Sequence, residues 1–160
     1  MIICRVYRIR GVIKKGPTTR RVVERPEEQA GATPKGRVLY VEDHDDTRIL
    51  MGMMLARAGF EVVTATNCAE CLERARASRF DLYLLNHTFP DASGVTLCEM
   101  IRVIDPVTPI LFYSGRALPQ EREAAIKAGA QDYLIKPNDI FNVADHAAKW
   151  IARAKGETKE

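Results

Sequence analysis

Short, almost continuously apolar segments alternate with longer amphipathic segments from Arg37 onward. A short apolar run without alternating polar residues is typical of a strand buried on both faces. The longer segments repeat apolar residues every three or four positions, as one face of a helix does. The pattern predicts strands at Val38–Val41, Val62–Ala65, Leu82–Leu85, Ile110–Tyr113 and Tyr133–Ile135, and helices at 45–58, 67–79, 95–104, 118–128 and 139–154.

Apolar stripes and end signals support several of the predicted helices. Asn67 is placed to cap the second helix, and Gly59 and Gly129 stand where helices are expected to end. The first helix is predicted to bury one stripe formed by Leu50, Met51, Met54, Leu55 and Ala58. The last is predicted to bury a stripe formed by Ile140, Val143, Ala144, Ala147, Trp150 and Ile151.

Five repeats of strand then helix predict an α/β fold, with one parallel sheet covered by helices on both faces. Open sheets of this kind bind ligands at the carboxyl ends of their strands, near the point where the strand order reverses. Four predicted strands end in polar residues, which are Glu42 with Asp43, Asn86, Ser114, and Lys136. These residues are the first candidates for a functional site.

Four stretches around these strand ends resemble the receiver domain of response regulators, the signalling domain of bacterial two-component phosphorelays. They are Leu39–Asp43, Asp81–Gly94, Phe112–Gly115 and Ala128–Pro137, and the resemblance covers residues 37–154. No single motif decides the matter, but four in order at matching spacing are specific. The resemblance implies a flavodoxin-like, doubly wound sheet of five parallel strands in the order 2-1-3-4-5, with five helices.

The resemblance also implies a magnesium site. Glu42 and Asp43 correspond to the two carboxylates that share Mg²⁺ with the phosphoacceptor, and the backbone carbonyl of Thr88 corresponds to a further ligand. Hard oxygen donors of this kind suit Mg²⁺. Taken without the other motifs, Glu42 and Asp43 have a simpler interpretation as acidic residues that favour the start of the following helix.

Three further residues match positions that contact or respond to the phosphoryl group in the family. Ser114 corresponds to the hydroxyl that binds a phosphoryl oxygen, and Lys136 to the ammonium that neutralises it. Tyr133 corresponds to an aromatic residue that turns inward on activation. The alternatives are a turn-capping serine, an ordinary loop lysine and a fixed core tyrosine. The bond between Lys136 and Pro137 is a candidate cis peptide, because cis bonds occur almost only before proline.

Position 86 departs from the family pattern. The phosphoacceptor there is an aspartate, whereas this chain has Asn86, whose amide is not a carboxylate nucleophile and brings no charge to a metal. We therefore expect a degenerate phosphoacceptor and weakened Mg²⁺ binding. Two unit charges ~5 Å apart repel by roughly 3 kcal/mol at an effective dielectric of 20, so loss of one carboxylate should stabilise the metal-free protein.

Other residues near the predicted site have reactive side chains. His44 and His87 flank it, and a histidine can accept a phosphoryl group or bind a metal. The simpler interpretation is a loop histidine half in solvent. Asp91 is a carboxylate in the same loop as Asn86 and is a weaker candidate for a substitute acceptor, because the end of the strand favours position 86.

Composition limits the class of protein. The chain has 160 residues, enough for one domain or one domain with a tail, and no apolar stretch approaches the ~20 residues that span a bilayer. Basic residues interrupt the first 15 positions, which argues against a signal peptide. Four cysteines include a single C-x-x-C pair without a second one, so we expect apolar side chains in a reducing cytoplasm rather than a zinc site.

The first 36 residues differ from the rest. They contain 9 basic and 3 acidic residues, a net charge of +6, with several glycines and prolines. We interpret residues 1–36 as a flexible basic arm and linker, 37–155 as the receiver domain and 156–160 as a tail. Alternatives for Cys4–Ile13 are a short strand or a start codon assigned too early. A basic arm also allows binding to nucleic acid or another anionic surface.

The favoured hypothesis is a stand-alone, phosphorylation-independent pseudo-receiver that is not an enzyme. Its partner would be a signalling protein, either a histidine kinase or another regulator, since the chain ends near Lys155 without room for a DNA-binding output domain. The family implies docking or homodimerisation through the fourth helix, fifth strand and fifth helix. Alternatives are a response regulator with another acceptor, and a small-molecule enzyme on the same scaffold. No glycine-rich phosphate loop or Ser-His-Asp arrangement favours the enzyme.

Overall fold

The computed structural model describes residues 33–156, so the predicted arm up to residue 32, Cys4 and residues 157–160 lie outside the described part. Strands and helices alternate throughout it. They are β1 (Arg37–Val41), α1 (Asp45–Arg57), β2 (Glu61–Ala65), α2 (Cys68–Ala77), β3 (Leu82–Leu85), α3 (Gly94–Ile104), β4 (Ile110–Ser114), α4 (Pro119–Lys127), β5 (Asp132–Ile135) and α5 (Val143–Ala154). All five predicted strands and all five predicted helices are present.

The five strands form one parallel sheet in the order β2-β1-β3-β4-β5, which confirms the predicted topology. The chain leaves β1 toward one edge of the sheet and returns at β3 to build toward the other edge. The strand order therefore reverses between β1 and β3, where Val41 is paired with Leu85. Open α/β sheets bind their ligands beside such a reversal, at the carboxyl ends of the strands.

Alternate strand residues enter two separate core layers. In β1, Leu39 and Val41 face the helices α2, α3 and α4, whereas Val38 and Tyr40 face α1 and α5. Each fully buried Leu or Val contributes roughly 1.5–3 kcal/mol through removal from water. Three of the four cysteines, Cys68, Cys71 and Cys98, are free and buried in the first layer, as expected for apolar core residues.

The end signals predicted for α1, α2 and α4 agree with the structure. The side chain of Asn67 accepts a hydrogen bond from the backbone nitrogen of Glu70 at 2.9 Å, which caps α2. Gly59 and Gly129 follow α1 and α4 with φ of +99° and +108°. A residue with a Cβ is strained in this left-handed region, so glycine is the residue that stops both helices.

Two details of the predicted helices are wrong. Leu50 is 52% exposed, because successive residues are rotated by about 100° around a helix and Leu50 lies beside the stripe centred on Met51 and Leu55. The last helix begins at Val143 rather than 139. Turns occupy the preceding segment, where the Asp139 carboxylate accepts a hydrogen bond from the backbone of Ile135 at 2.8 Å.

The described helices are all too short or too polar to cross a bilayer.

Candidate functional site

The predicted site residues meet at the carboxyl edge of the sheet. Glu42 and Asp43 follow β1, Asn86 follows β3, and Lys136 follows β5. Their side chains form one continuous set of polar contacts, which also includes the backbone carbonyl of Thr88. The peptide bond between Lys136 and Pro137 is cis, as the X–Pro sequence suggested.

Asn86 lies at the centre of these contacts. Its side-chain nitrogen Nδ2 lies 3.1 Å from Asp43 Oδ1, 3.4 Å from Glu42 Oε1 and 3.3 Å from the carbonyl oxygen of Thr88. Its side-chain oxygen Oδ1 accepts a hydrogen bond from the backbone nitrogen of His87 at 2.8 Å. The amide therefore faces three acceptors with its donor end and one donor with its acceptor end, which fixes its orientation.

Glu42 is a buried carboxylate, only 1% exposed, and both of its oxygens accept hydrogen bonds. The ammonium of Lys136 and the hydroxyl of Tyr40, at 3.1 Å, both donate to Oε2. The backbone nitrogen of His44 donates to Oε1 at 3.2 Å. Burial, together with the Glu42 carboxylate, raises the pKa of Tyr40 far above its usual range, so the phenol stays a neutral donor. A buried charge is tolerated only with partners of this kind.

Ser114 occupies the predicted strand end but makes a local contact. Its buried hydroxyl oxygen accepts a hydrogen bond from the backbone nitrogen of Arg116 at 3.2 Å, which is the turn-capping geometry. Its backbone carbonyl accepts from the backbone nitrogen of Lys136 at 2.8 Å and so aligns the end of β5 with that of β4. The role of Ser114 in binding a phosphoryl oxygen stays a prediction.

Tyr133 points inward and is held there by contacts at both ends of its side chain. Its ring stacks on Phe112, with centroids 5.5 Å apart. Its hydroxyl donates to the backbone carbonyl of Arg116 at 2.8 Å and lies 3.3 Å from His87 Nδ1. Because the single phenolic hydrogen is used by Arg116, the His87 nitrogen must be the donor in the second contact. Burial raises the pKa of the Tyr133 hydroxyl.

His87 is the residue that sequence reasoning underestimated. It was expected half in solvent, but it is 7% exposed and packs near Phe112 and Tyr133, with ring centroids 6.0 and 6.2 Å away. Burial lowers its pKa, so the imidazole is neutral near pH 7. The sequence could have indicated this burial, because the two-residue periodicity of a strand continues beyond β3. Leu85, His87 and Phe89 are all buried.

Asp91 lies apart from the central contacts. Its two carboxylate oxygens accept hydrogen bonds from the backbone nitrogens of Cys68 and Ala69, at 3.1 and 3.0 Å, at the N terminus of α2. Burial raises the pKa of Asp91, but the hydrogen bonds together outweigh burial and the pKa is lowered. Asp91 therefore acts as a capping carboxylate that interacts with the positive end of the helix.

A glycine allows the loop after β3 to close beneath Asn86. A Cβ atom on Gly94 would lie 2.2 Å from the backbone carbonyl oxygen of Asn86, a distance that non-bonded atoms do not reach. The backbone nitrogen of Gly94 instead donates to the carbonyl of His87 at 2.7 Å. Gly94 is thus required by close backbone approach, and the approach holds residues 86–88 in position.

The three oxygens expected to bind Mg²⁺ do not fit that ion as they are arranged. All three accept hydrogen bonds from the Asn86 amide, whose hydrogens point into the space between them. Rotating the amide to offer Oδ1 instead would turn its NH₂ group toward the backbone N–H of His87. Within residues 33–156, no group of three or more His, Cys, Asp or Glu side chains is arranged to hold a metal ion.

Proteins of known sequence resemble this chain over the described region. The transcriptional regulatory protein PrrA of Mycobacterium tuberculosis is 36% identical over 124 residues, which are 76% of this chain and 52% of PrrA. The cell cycle transcriptional regulator CtrA of Caulobacter vibrioides is 32% identical over 125 residues, 77% of this chain and 53% of CtrA. The chain thus spans about half the length of the curated relatives it matches.

Solved structures share the fold. A CheY-like response regulator receiver domain from Methanospirillum hungatei superimposes with a TM-score of 0.72 at 24% identity, over 76% of this chain and 98% of the other. A two-component response regulator from Clostridium difficile superimposes with a TM-score of 0.67 at 27% identity, over 73% and 95% of the two chains. The family model of the response regulator receiver domain matches residues 38–148. This chain therefore belongs to the response regulator receiver domain family.

Proposed function

We propose that this chain is a pseudo-receiver, which transmits a signal through protein–protein contacts and without phosphorylation of its own. The observation that carries the proposal is the amide of Asn86 at the end of β3, hydrogen-bonded to Glu42, Asp43 and Thr88. Receiver domains are signalling domains that interact with histidine kinases and other regulators. In this proposal the chain still acts as a signalling domain but is not itself phosphorylated.

The chemistry of the strand end supports this proposal. An acyl phosphate forms when a carboxylate oxygen attacks phosphorus, and the Asn86 oxygen is a neutral amide oxygen that already accepts from His87. The nearby carboxylate of Glu42 is buried and paired with Lys136. The nearby carboxylate of Asp91 caps α2 through both oxygens. Each nearby acid thus has a structural contact of its own.

The proposed docking surface is the face formed by α4, β5 and α5. On the α4 side, Leu118 and Ile126 are exposed apolar residues, with Arg122, Glu123 and Lys127 among them. Apolar side chains bordered by charges are typical of protein contact sites. A regulator with a complementary apolar surface bordered by charges of both signs is the proposed partner, and a second copy of this chain is the alternative occupant. Nucleic acid and membrane are not proposed as partners.

Incubation with acetyl phosphate and Mg²⁺, followed by rapid intact-mass measurement, tests the absence of phosphorylation. The wild-type chain should gain no phosphoryl mass, because no acceptor carboxylate stands at position 86. Asn86→Asp is the matched control and should gain one phosphoryl group, since Glu42, Asp43, Ser114 and Lys136 are in place. A stoichiometric gain by the wild type would overturn the proposal and direct attention to Asp91 or His87.

A further inference from the structure

Three oxygen atoms converge on one point at the carboxyl edge of the sheet, and they need a positive partner. They are Oε1 of Glu42, Oδ1 of Asp43 and the carbonyl oxygen of Thr88. Two belong to carboxylates, which repel each other when both are charged and close. An electropositive group between them offsets this repulsion.

The electropositive group at that point is the NH₂ of Asn86. Its nitrogen lies 3.1 to 3.4 Å from all three oxygens, within or just beyond the ordinary range of an N–H···O hydrogen bond. Two amide hydrogens serve three acceptors, so at least one hydrogen is shared. The individual hydrogen bonds are therefore weak, but together they hold the NH₂ group of Asn86 between the three oxygens.

The size of the pocket distinguishes an amide from a metal ion. Mg²⁺ holds its oxygen ligands at about 2.0–2.1 Å and tolerates little deviation from octahedral geometry. The three oxygens lie 3.1 to 3.4 Å from Asn86 Nδ2, so an ion at the position of that nitrogen would be roughly 1 Å too far from each of them. A metal would have to displace the amide and draw all three oxygens inward.

The orientation of the amide resists such displacement. The backbone nitrogen of His87 donates to Asn86 Oδ1 at 2.8 Å, the shortest contact the amide makes. The backbone of residues 86–88 is itself fixed by the close approach of Gly94. Turning the amide away would leave the His87 N–H without its present acceptor and the buried Glu42 Oε1 with one donor fewer, and unpaired buried polar groups are costly. The exposed oxygens of Asp43 and Thr88 can accept from water instead.

The charge of the pocket also disfavours a divalent cation. Glu42 already pairs with the ammonium of Lys136, so the two carboxylates and one ammonium carry a net charge of −1. An aspartate at position 86 would make this −2. The attraction for a doubly charged ion is therefore smaller than the family site provides.

We infer that the side-chain amide of Asn86 stands in for a divalent cation, bridging the oxygens of Glu42, Asp43 and Thr88 so that the pocket excludes Mg²⁺ and holds its loop without it. The inference rests on the proposed function, since both depend on the residue at position 86. It goes further, because it assigns the asparagine an active role. A residue that had merely lost its charge would weaken metal binding without blocking the site.

Replacing Asn86 by alanine distinguishes an amide that blocks the metal site from a residue that has only lost its charge. In Asn86→Ala the three oxygens are released and the space between them is open. The variant should therefore bind Mn²⁺, measured from the free-ion signal in electron paramagnetic resonance, at least tenfold more tightly than the wild type. If Asn86 is only a missing carboxylate, the alanine variant will bind no more tightly than the wild type, and the inference is overturned.

Two control variants make the result specific. Asn67→Ala is the same chemical change at the cap of α2, where the side chain accepts from Glu70 and takes no part in the site, so it should bind Mn²⁺ as the wild type does. Asp43→Ala added to Asn86→Ala should abolish the gained binding. Cooperative unfolding of each variant, followed by circular dichroism, establishes that the proteins compared are folded.

A measurement on the wild type keeps the inference testable if Asn86→Ala does not fold. In a ¹⁵N-labelled sample, the side-chain NH₂ resonances of Asn86 should stay unchanged on addition of 10 mM Mg²⁺. A progressive shift would overturn the inference. Metal binding by the wild type would leave the proposed function intact, whereas phosphorylation at another residue would overturn that function and leave the inference intact.

Discussion

The two ends of the same parallel sheet both carry charged residues, and these differ in what surrounds them. At the amino end, Arg37 pairs with Glu61 at 2.7 Å, and Lys155 pairs with Asp81 at 3.1 Å. Each of these four side chains is about one third to one half exposed. Water can replace either partner, so such pairs contribute on the order of 0–1 kcal/mol each.

At the carboxyl end the central ion pair, between Glu42 and Lys136, has little access to water. Glu42 is enclosed beside Tyr40, and its partner Lys136 is 19% exposed at the side chain. The Asn86 amide fills the remaining space between Glu42 and Asp43. Water cannot take over the contacts of Glu42, so this carboxylate depends on its protein partners, whereas Asp43 is exposed and can also bind water.

Charge alone therefore does not identify a functional site in this fold. Both ends of the sheet have acidic and basic residues in direct contact. Only the carboxyl end combines burial, convergence from several strands and polar atoms that are mutually dependent. Substitutions should therefore have unequal effects at the two ends, even when the residue type and the charge lost are the same.

The largest difference is expected for a lysine at each end. Lys136→Met leaves the Glu42 carboxylate buried without its ammonium partner, and we expect a loss of about 3 kcal/mol in the free energy of unfolding. Lys155→Met removes an exposed pair and should change it by less than about 1 kcal/mol. Urea unfolding at pH 7 measures both. Equal losses would show that Glu42 has access to solvent, and the comparison would fail.

A smaller effect is expected when a charge is added at the carboxyl end. Asn86→Asp places a third carboxylate beside Glu42 and Asp43, and Lys136 with solvent offsets only part of the repulsion. We expect the metal-free variant to be less stable by about 1–2 kcal/mol. Millimolar Mg²⁺ should recover that loss by binding the folded state, whereas it should leave the wild type unchanged.

Melting temperatures with and without Mg²⁺ measure this effect. A variant as stable as the wild type without metal, and no more responsive to Mg²⁺, would show that the pocket cannot be rebuilt by one residue. The assignment of Glu42 and Asp43 as metal ligands would then be abandoned.

The smallest effect is expected for a deletion before β1. Removal of residues 1–32 should alter the free energy of unfolding by less than about 0.5 kcal/mol, since the alternation of apolar strands and amphipathic helices is complete from Arg37 onward. Deletion of residues 1–36 should cost more, because it removes the hydrogen bonds of Lys35 with Gly59 and of Gly36 with Glu61. Denaturant unfolding of both truncated chains tests the domain boundary. A loss of several kcal/mol on the first deletion would place part of the core before Thr33.

Much of the fold was readable from the sequence because its determinants are local. Continuous apolar runs mark strands covered on both faces, and Asn67 and Gly129 mark helix ends by their own chemistry. The start of α5 was misplaced, because the residues before it have a helical spacing of apolar side chains. The Asp139 carboxylate instead binds the end of β5, a contact that periodicity does not report.

The sequence predicted which residues lie at the site, but it did not predict the contacts between them. The strand ends placed Glu42, Asp43, Asn86 and Lys136 at one edge of the sheet, where they are found. The direction in which the Asn86 amide points depends on the backbone of His87 and on three acceptors from separate segments. The orientation of this side chain depends on tertiary contacts, which no local pattern in the sequence reveals.

The hydrogen bond from His87 to Asn86 also bears on the chemical ageing of the protein. Asparagine is a thermolabile residue, and it loses its amide when the following backbone nitrogen attacks the side-chain carbonyl carbon. Here that nitrogen points its hydrogen at the Asn86 side-chain oxygen, 2.8 Å away. Deamidation at this position would create an aspartate at the place where the family is phosphorylated. The contacts that hold the amide and the following backbone in one orientation are therefore expected to govern how fast Asn86 becomes an aspartate.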